Sequence, residues 1–351
     1  MELPIGSRLL HYIIGPKIGQ GAFGEIYCSV EENTGLIWAI KTESNQARRK
    51  TIAFEYQILT QIQSSPHFPR LGVLGHGDNF TFFSLELLGP SLSHILKGQR
   101  CRFSFSTAVR ASYHILSAIQ AFHTFGFIHR DIKPGNILTR EGTEHPLALI
   151  DYGLARVYVD SQTGKHLPAR SHVGFRGTKA YASRNAHMCM DLSRRDDLIS
   201  WFYLSYELII QDLPWRGLQD KSQIVEYKTR FDVANAVAPV APELFEVWRH
   251  INSLGYSDKP DYDHVKKCLE RICKRNGFNL NDPFDWHPYL HEHRQKIAQA
   301  LETIEATKQT HVEADVLNAD QLDTNLLGPR MTIPAPFSHL SQTDDCACCG
   351  C

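Results

Sequence analysis

His129-Arg130-Asp131-Ile132-Lys133-Pro134-Gly135-Asn136 follows directly on an apolar helical stretch and packs a base, an acid, a second cation and an amide into eight positions. A carboxylate that is to receive a hydroxyl proton needs a cation near the transferred phosphate and an oxygen ligand for a metal. Asp131, Lys133 and Asn136 are the residue types that phosphoryl transfer requires. Any three of them could equally form an exposed charged turn. The weight therefore rests on what the rest of the chain supplies around them.

Upstream, Lys17-Ile18 leads into Gly19-Gln20-Gly21-Ala22-Phe23-Gly24 and then Glu25-Ile26-Tyr27-Cys28-Ser29-Val30. A dinucleotide site needs a helix after such glycines, so that its N-terminus faces the pyrophosphate. A β-branched and aromatic strand follows instead, so the glycines cap a hairpin whose backbone can lie close over a nucleotide's phosphates. The next strand, Leu36 to Lys41, alternates so that Ile37, Ala39 and Lys41 share one face. A small Ala39 leaves room for a flat base while the Lys41 ammonium reaches phosphate. Residues 47–63 read as a helix on which Glu55 shares a face with Ile58, Leu59 and Ile62. A carboxylate on an apolar face is costly unless paired, and Lys41 is the expected partner. Strand 80–88 stops at Gly89-Pro90, where a β-rich lobe would hinge onto a helical one. The backbone of Glu86 to Leu88 could there read the adenine edge, with Leu85 behind it.

Downstream, residues 108–125 read as a helix closed by Gly126. Ile137-Leu138 and residues 147–150 form a short hairpin that ends at Asp151-Tyr152-Gly153. An acidic residue straight after a buried strand is well placed to hold Mg²⁺ together with Asn136. Residues 154–181 are loop-like and carry Lys165, Arg170, Arg176 and Lys179. Asp197 introduces the apolar stretch 198–210, where a carboxylate can accept backbone N–H bonds. Further helices are expected over 221–236, 243–254, 263–276 and 290–307, and a mobile tail beyond about Val312.

The 351 residues suffice for one large two-lobed domain and a tail. With 42% hydrophobic and 21% charged residues the composition is that of a soluble globular protein, and a net charge of −1 argues against general nucleic-acid binding. No signal peptide is visible at the first residues. The apolar run 198–210 is too short to span a bilayer and reads as a core helix. Cys28, Cys101, Cys189, Cys268 and Cys273 are expected as reduced buried thiols. The histidines show no repeated metal-ligand spacing, and no structural zinc is expected.

Taken together, these motifs resemble the eukaryotic protein kinases. The narrower motifs Glu86-Leu87-Leu88-Gly89-Pro90-Ser91-Leu92, Gly177-Thr178-Lys179-Ala180-Tyr181-Ala182-Ser183 and Arg194-Arg195-Asp196-Asp197-Leu198 resemble the casein kinase I group. Gly174 to Thr178, Lys259-Pro260-Asp261-Tyr262 and Phe284-Asp285-Trp286 resemble its tau-tubulin kinase members. The resemblance implies an α+β, bilobal protein kinase fold, with a β-rich lobe over 8–88, a mainly helical lobe over 89–305 and a flexible tail over 306–351. It implies ATP held by Ile18, Gly19, Gly21, Gly24, Ile26, Ala39, Lys41, Glu55, Glu86 and Leu88. Asn136 and Asp151 would hold Mg²⁺, Asp131 would take the acceptor's proton, and Lys133 would stabilise the transferred group. Thr178 would support Asp131 and Lys133 from the substrate-side loop. Tyr152 stands where related kinases carry Phe. Ala180 replaces an arginine that helps related kinases bind phosphate or acidic groups on the substrate, which leaves a preference for acidic or primed substrates open.

The expected activity is a Mg²⁺/ATP-dependent protein serine/threonine kinase, acting as a monomer on protein substrates and not on nucleic acid. The expected location is cytoplasmic, with membrane association or a nuclear pool as alternatives. Two other classes stay open. One is a pseudokinase-like binding scaffold, against which the full set of catalytic residue types argues. The other is a membrane-tethered scaffold, with Cys346-Ala347-Cys348-Cys349-Gly350-Cys351 as its S-acylated or prenylated anchor.

Overall fold

The computed structural model describes residues 3–20, 24–48, 50–98, 102–171, 173–305 and 311–317. A first sheet is built from β1 (Arg8–Leu9), β2 (Tyr12–Gln20), β3 (Glu25–Glu31), β4 (Ile37–Ser44), β5 (Leu71–Gly77) and β6 (Phe80–Glu86), with α1 (Ile52–Ile62) between β4 and β5. Neighbours run antiparallel in the order β1-β2-β3-β4-β6-β5. Alternation along the strands gives the sheet two buried faces. Tyr12, Ile14, Tyr27, Ile40 and Phe82 pack together on one. Phe83 and Leu74 join Ile58, Leu59 and Ile62 of α1 on the other.

The chain then becomes mainly helical: α2 (Leu92–Gly98), α3 (Phe105–Thr124), and three small strands β7 (Phe127–Ile128), β8 (Ile137–Thr139) and β9 (Leu147–Leu149), with a 3-10 turn at Pro134–Asn136. After β10 (Arg156–Val157), which pairs with β7, come α4 (Arg184–His187), α5 (Arg194–Ile210), α6 (Lys221–Arg230), α7 (Val233–Val237), α8 (Glu243–Ser253), α9 (Tyr262–Asn276) and α10 (His287–Glu305). The stretch 198–210 is a core helix. Leu198, Trp201, Phe202, Tyr203 and Leu204 of α5 are all buried, so it is apolar nearly all round. Each such side chain stabilises the fold by about 1.5–3 kcal/mol relative to exposure. Among the described residues no helix is long and apolar enough to cross a membrane.

Four local expectations are corrected. α1 starts at Ile52 rather than Ala47, because the Glu43 carboxylate accepts the Thr51 backbone N–H at 2.8 Å and fixes the start there. α3 starts at Phe105 rather than Ala108, capped by Ser104, whose hydroxyl accepts the Thr107 N–H. Residues 221–236 form two helices, since Asp232 opens a new one by accepting the Asn235 N–H. Cys28, Cys268 and Cys273 are free buried thiols, but Cys189 is partly exposed. Cys101 and the Cys346–Cys351 cluster lie outside the described residues.

The largest departure is at the far end. Residues 311–317 were expected in a mobile tail and instead form β11 (His311–Val312) and β12 (Ala314–Val316). β11 runs parallel to β1, and β12 runs antiparallel to β5. These are the two opposite edges of the sheet, so one short segment closes it upon itself. Val312 and Ala314 pack on the enclosed core of Leu9, Tyr12, Tyr27, Ile40 and Phe82. Closure also covers strand edges that would otherwise present unpaired backbone groups.

Candidate active site

The octapeptide is held from below by α5. Asp197, 1% exposed, accepts the His129 N–H at 2.6 Å on Oδ2 and the Arg130 N–H at 2.7 Å on Oδ1. Oδ2 also lies 2.9 Å from His123 Nε2. The sequence points to bonds from the helix's own N-terminus, but there it is Asp196 that accepts the Ser193 N–H at 2.9 Å, while the Asp196 N–H bonds the Ser193 carbonyl. Burial opposes the Asp197 charge, yet His123 and the two N–H donors hold its carboxyl below the usual range. Asp197 is thus a residue to which reading in chain order gives the wrong partners. Its partners lie far upstream, and only the Arg194–Leu198 motif marks it. Arg130 sits at φ 69°, a conformation costing about 1–3 kcal/mol for a non-glycine residue. Its guanidinium donates to the carbonyls of Leu154 and Ala155 and locks the octapeptide to the segment after Gly153.

Asp131 is 7% exposed and both its oxygens are engaged. Oδ2 takes the Lys133 ammonium at 2.6 Å, and Oδ1 accepts the Thr178 hydroxyl at 2.8 Å. Thr178 gets this close because Gly177 precedes it. Gly177 has φ +99°, and a Cβ there would lie 2.8 Å from the Arg130 carbonyl oxygen. Asn136 donates Nδ2 to the Asp131 carbonyl at 2.9 Å, which leaves its Oδ1 as an acceptor. Asn136 and Asp151 flank the β8–β9 hairpin, whose ends are drawn together by the Ile150 N–H on the Asn136 carbonyl at 3.0 Å. Asp151 is at φ 68° and its carboxylate enters no ion pair among the described residues. Two hard oxygen donors at one hairpin mouth are a set that suits Mg²⁺. Tyr152 is buried against Phe122, Phe68 and His129, and its hydroxyl donates to the Leu149 carbonyl at 2.5 Å. The extra oxygen relative to Phe is therefore satisfied inside the core.

Across the cleft, Lys41 Nζ lies 2.5 Å from Glu55 Oε2, and the Thr51 hydroxyl sits between Glu55 Oε1 at 3.1 Å and Glu43 Oε1 at 3.0 Å, which share its one proton. Burial disfavours the ammonium, but Glu55 and then Asp151 more than offset this and keep Lys41 charged. Gly24 is demanded by the sheet itself, since a Cβ there would run into the Thr42 carbonyl. Gly19 meets only ordinary contact with Ile26, and Ile18 is exposed. Ala39 and Leu88 are buried, and Leu87 and Leu88 lie beyond the last paired residue of β6. The Glu86 carboxylate is committed to Arg140, at 3.0 and 2.8 Å, and its backbone N–H to the Arg70 carbonyl at 2.8 Å, so contact with a ligand falls to its carbonyl. Gly21 lies outside the described residues. Leu138, half-buried beside the hinge through its bridge to Ser91, was not singled out from sequence.

Residues 12–277 match the protein kinase domain family. A probable serine/threonine-protein kinase of Dictyostelium discoideum is 36% identical over 273 residues, covering 77% of this chain and 55% of that protein. The chain thus spans about half the length of the curated relative it matches. A β-rich sheet, a helical body, and between them a lysine–glutamate pair opposite an aspartate–lysine–threonine cluster agree with the match, and the chain belongs to the protein kinase domain family.

Proposed function

We propose that this chain is a Mg²⁺/ATP-dependent protein serine/threonine kinase. The observation that carries the reading is Asp131, whose two oxygens are oriented by Lys133 and Thr178, opposite an intact Lys41–Glu55 pair. Asp131 orients an acceptor hydroxyl and receives its proton. Lys133, 28% exposed, can follow the charge that develops on the transferred group. Lys41, pinned by Glu55, holds the nucleotide's phosphates, and Ala39, Leu88, Ile18 and Ile26 bound the space for its base. Asn136 and Asp151 would hold Mg²⁺, which when bound neutralises phosphate charge. Positioning and charge supply most of the acceleration, because the protein does little covalent chemistry.

The finer reading, a casein kinase I group member with tau-tubulin kinase features, rests on the Gly177–Ser183, Arg194–Leu198 and Lys259–Tyr262 motifs. It carries protein substrates with Ser or Thr acceptors and a monomeric enzyme. Lys179, beside Ala180, is exposed and its ammonium donates to the Gln219 carbonyl at 3.2 Å. Purified protein with Mg²⁺ and ATP is expected to phosphorylate casein or itself, and Asp131→Asn to abolish transfer. Wild-type protein that shows no thermal shift with MgATP overturns the reading. Lipidation of Cys346–Cys351 would add a membrane-bound pool. Equal partitioning in cells of full-length and tail-deleted protein rules that out.

A further inference from the structure

Lys228 lies on α6, away from the cleft, and is 3% exposed. Its Nζ donates to the carbonyls of Lys179 at 2.9 Å and Ala182 at 2.7 Å, and sits 3.3 Å from His187 Nε2. The rings of Tyr203 and Trp215 lie 5.0 and 5.4 Å from it. Trp215 Nε1 donates to the intervening Ala180 carbonyl at 2.7 Å, and His187 Nε2 is 3.1 Å from the Lys179 carbonyl. Three carbonyls of the segment 179–182 are therefore held from beneath by one buried amine and one indole. That segment begins next to Thr178, the partner of Asp131, and includes the half-buried Ala180.

The hydrogen-bond inventory favours the amine over the ammonium. A neutral amine has two N–H groups, which the two carbonyls accept, and its lone pair lies beside His187 Nε2, whose own N–H the Lys179 carbonyl accepts at 3.1 Å. A third proton would need Nε2 as an acceptor and so the Nδ1–H tautomer of His187. His187 Nδ1 is buried without a partner, so that proton would go unsatisfied. Among the described residues no carboxylate pairs with Lys228 Nζ. The charged or titratable groups around this pocket are Lys179 of the loop, Arg184 and His187 on α4, Lys221 on α6 itself and Tyr203 on α5. Burial lowers the Lys228 amine to about 7, and burial followed by Lys228 lowers His187 to about 4. The two aromatic faces favour the cation and moderate the shift.

We propose that Lys228 is a positioning residue for the acceptor substrate: uncharged, it pins the backbone of 179–182 beneath the acceptor, and its protonation loosens that segment and weakens acceptor binding while leaving the nucleotide site alone. The proposal rests on the phosphotransfer reading above.

The test is steady-state kinetics of the full chain from pH 6 to 8.5, with a Ser-containing acceptor peptide free of histidine and phosphate. The wild-type acceptor KM is expected to fall as pH rises through neutrality, at constant KM for ATP. Lys228→Met should raise the acceptor KM about tenfold, the worth of one net hydrogen bond, and abolish its pH dependence. Lys228→Arg, charged at every pH, should give a high and pH-independent acceptor KM even if the Met variant does not fold. A wild-type acceptor KM flat across this range overturns the proposal. So do variants that keep the wild-type acceptor KM, or that change both KM values alike. A wild-type protein that transfers no phosphate fails the kinase reading instead, which MgATP thermal shift reports separately.

Discussion

Replacing Lys41 by methionine removes the ammonium 2.5 Å from Glu55 and leaves that carboxylate, 4% exposed, sharing its pocket with the charge of Asp151. Breaking one side of a buried pair costs about 3–5 kcal/mol. The lower end applies, about 3 kcal/mol, because the Lys41 side chain is 21% exposed. The loss should depend on pH with a definite sign. Burial and Asp151 already raise the folded-state pKa of Glu55 above its unfolded value of about 4.3, and loss of Lys41 removes the charge that opposes them. The folded variant then binds the proton more tightly than the unfolded chain. Its stability is fully present below pH ~4 and falls as pH rises through the raised pKa, by up to about 1.4 kcal/mol per unit. Urea unfolding of wild type, Lys41→Met, Glu55→Gln and the double variant at pH 5 to 8 measures this. The expected result is a Lys41→Met deficit that is largest at pH 8, shrinks toward pH 5 and is mostly recovered in the double variant. A deficit under 1 kcal/mol at pH 8, or one independent of pH, would falsify the account of this pair as buried and mutually dependent.

Asp197→Asn puts an amide donor against a backbone N–H donor and should cost about 3 kcal/mol in urea unfolding, with at least a tenfold fall in kcat. Wild-type stability from Asp197, whose pKa is lowered, is present above pH ~4 and lost as pH falls below it. Tyr152→Phe removes one buried bond to the Leu149 carbonyl and should cost about 1 kcal/mol while leaving KM for ATP within about twofold. Gly177→Ala must displace the Arg130 carbonyl or shift the backbone that carries Thr178. A fall in kcat of about tenfold, equivalent to ~1.4 kcal/mol, is expected with unchanged MgATP thermal shift. A chain ended at Glu305 loses β11 and β12 and should be cut by protease at β1 or β5 under conditions where the full chain is intact.

The parts of the site that sequence reveals are those whose geometry follows from local periodicity. Glu55 is legible because a carboxylate recurring with Ile58, Leu59 and Ile62 must point inward, and Lys41 because strand alternation sets it beside Ala39. Asn136 and Asp151 are legible because a hairpin must bring its two ends together. Asp197 was placed correctly on the chain and given the wrong partners, since a helix-start carboxylate has nearby N–H groups by default. At α5 the Ser193 N–H goes instead to the Asp196 carboxylate and the Asp196 N–H to the Ser193 carbonyl. Lys228 carries no periodic signal at all, being one lysine in a polar helix whose few buried positions include it. The Glu246, His264 and Cys268 cluster joins an i, i+4 pair on α9 to a residue that only the packing of α8 brings within 4.8 Å, and the Arg271 guanidinium bonds both Glu246 and Cys268 there. Residues 311–317 were unreadable because pairing of so short a segment depends on how far the sheet curls, a property of all its strands together.

That closing segment fastens the upper lobe to the lower one twice. The chain crosses once at Leu87 and Leu88, and again where it leaves α10 and is back on the sheet at His311. Leu290, in the first turn of α10, packs beside Gly89, so the helix begins near the first crossing and carries the chain about 22 Å along its axis before the second. They arrive at different places, the end of β6 and the outer edges of β1 and β5. A lobe held at one point can tilt, twist and slide. Held at two, it keeps chiefly the swing about the line that joins them. Nucleotide entry and product release in this chain are accordingly expected to follow one dominant rotation of the sheet, with the length of α10 setting its resting angle.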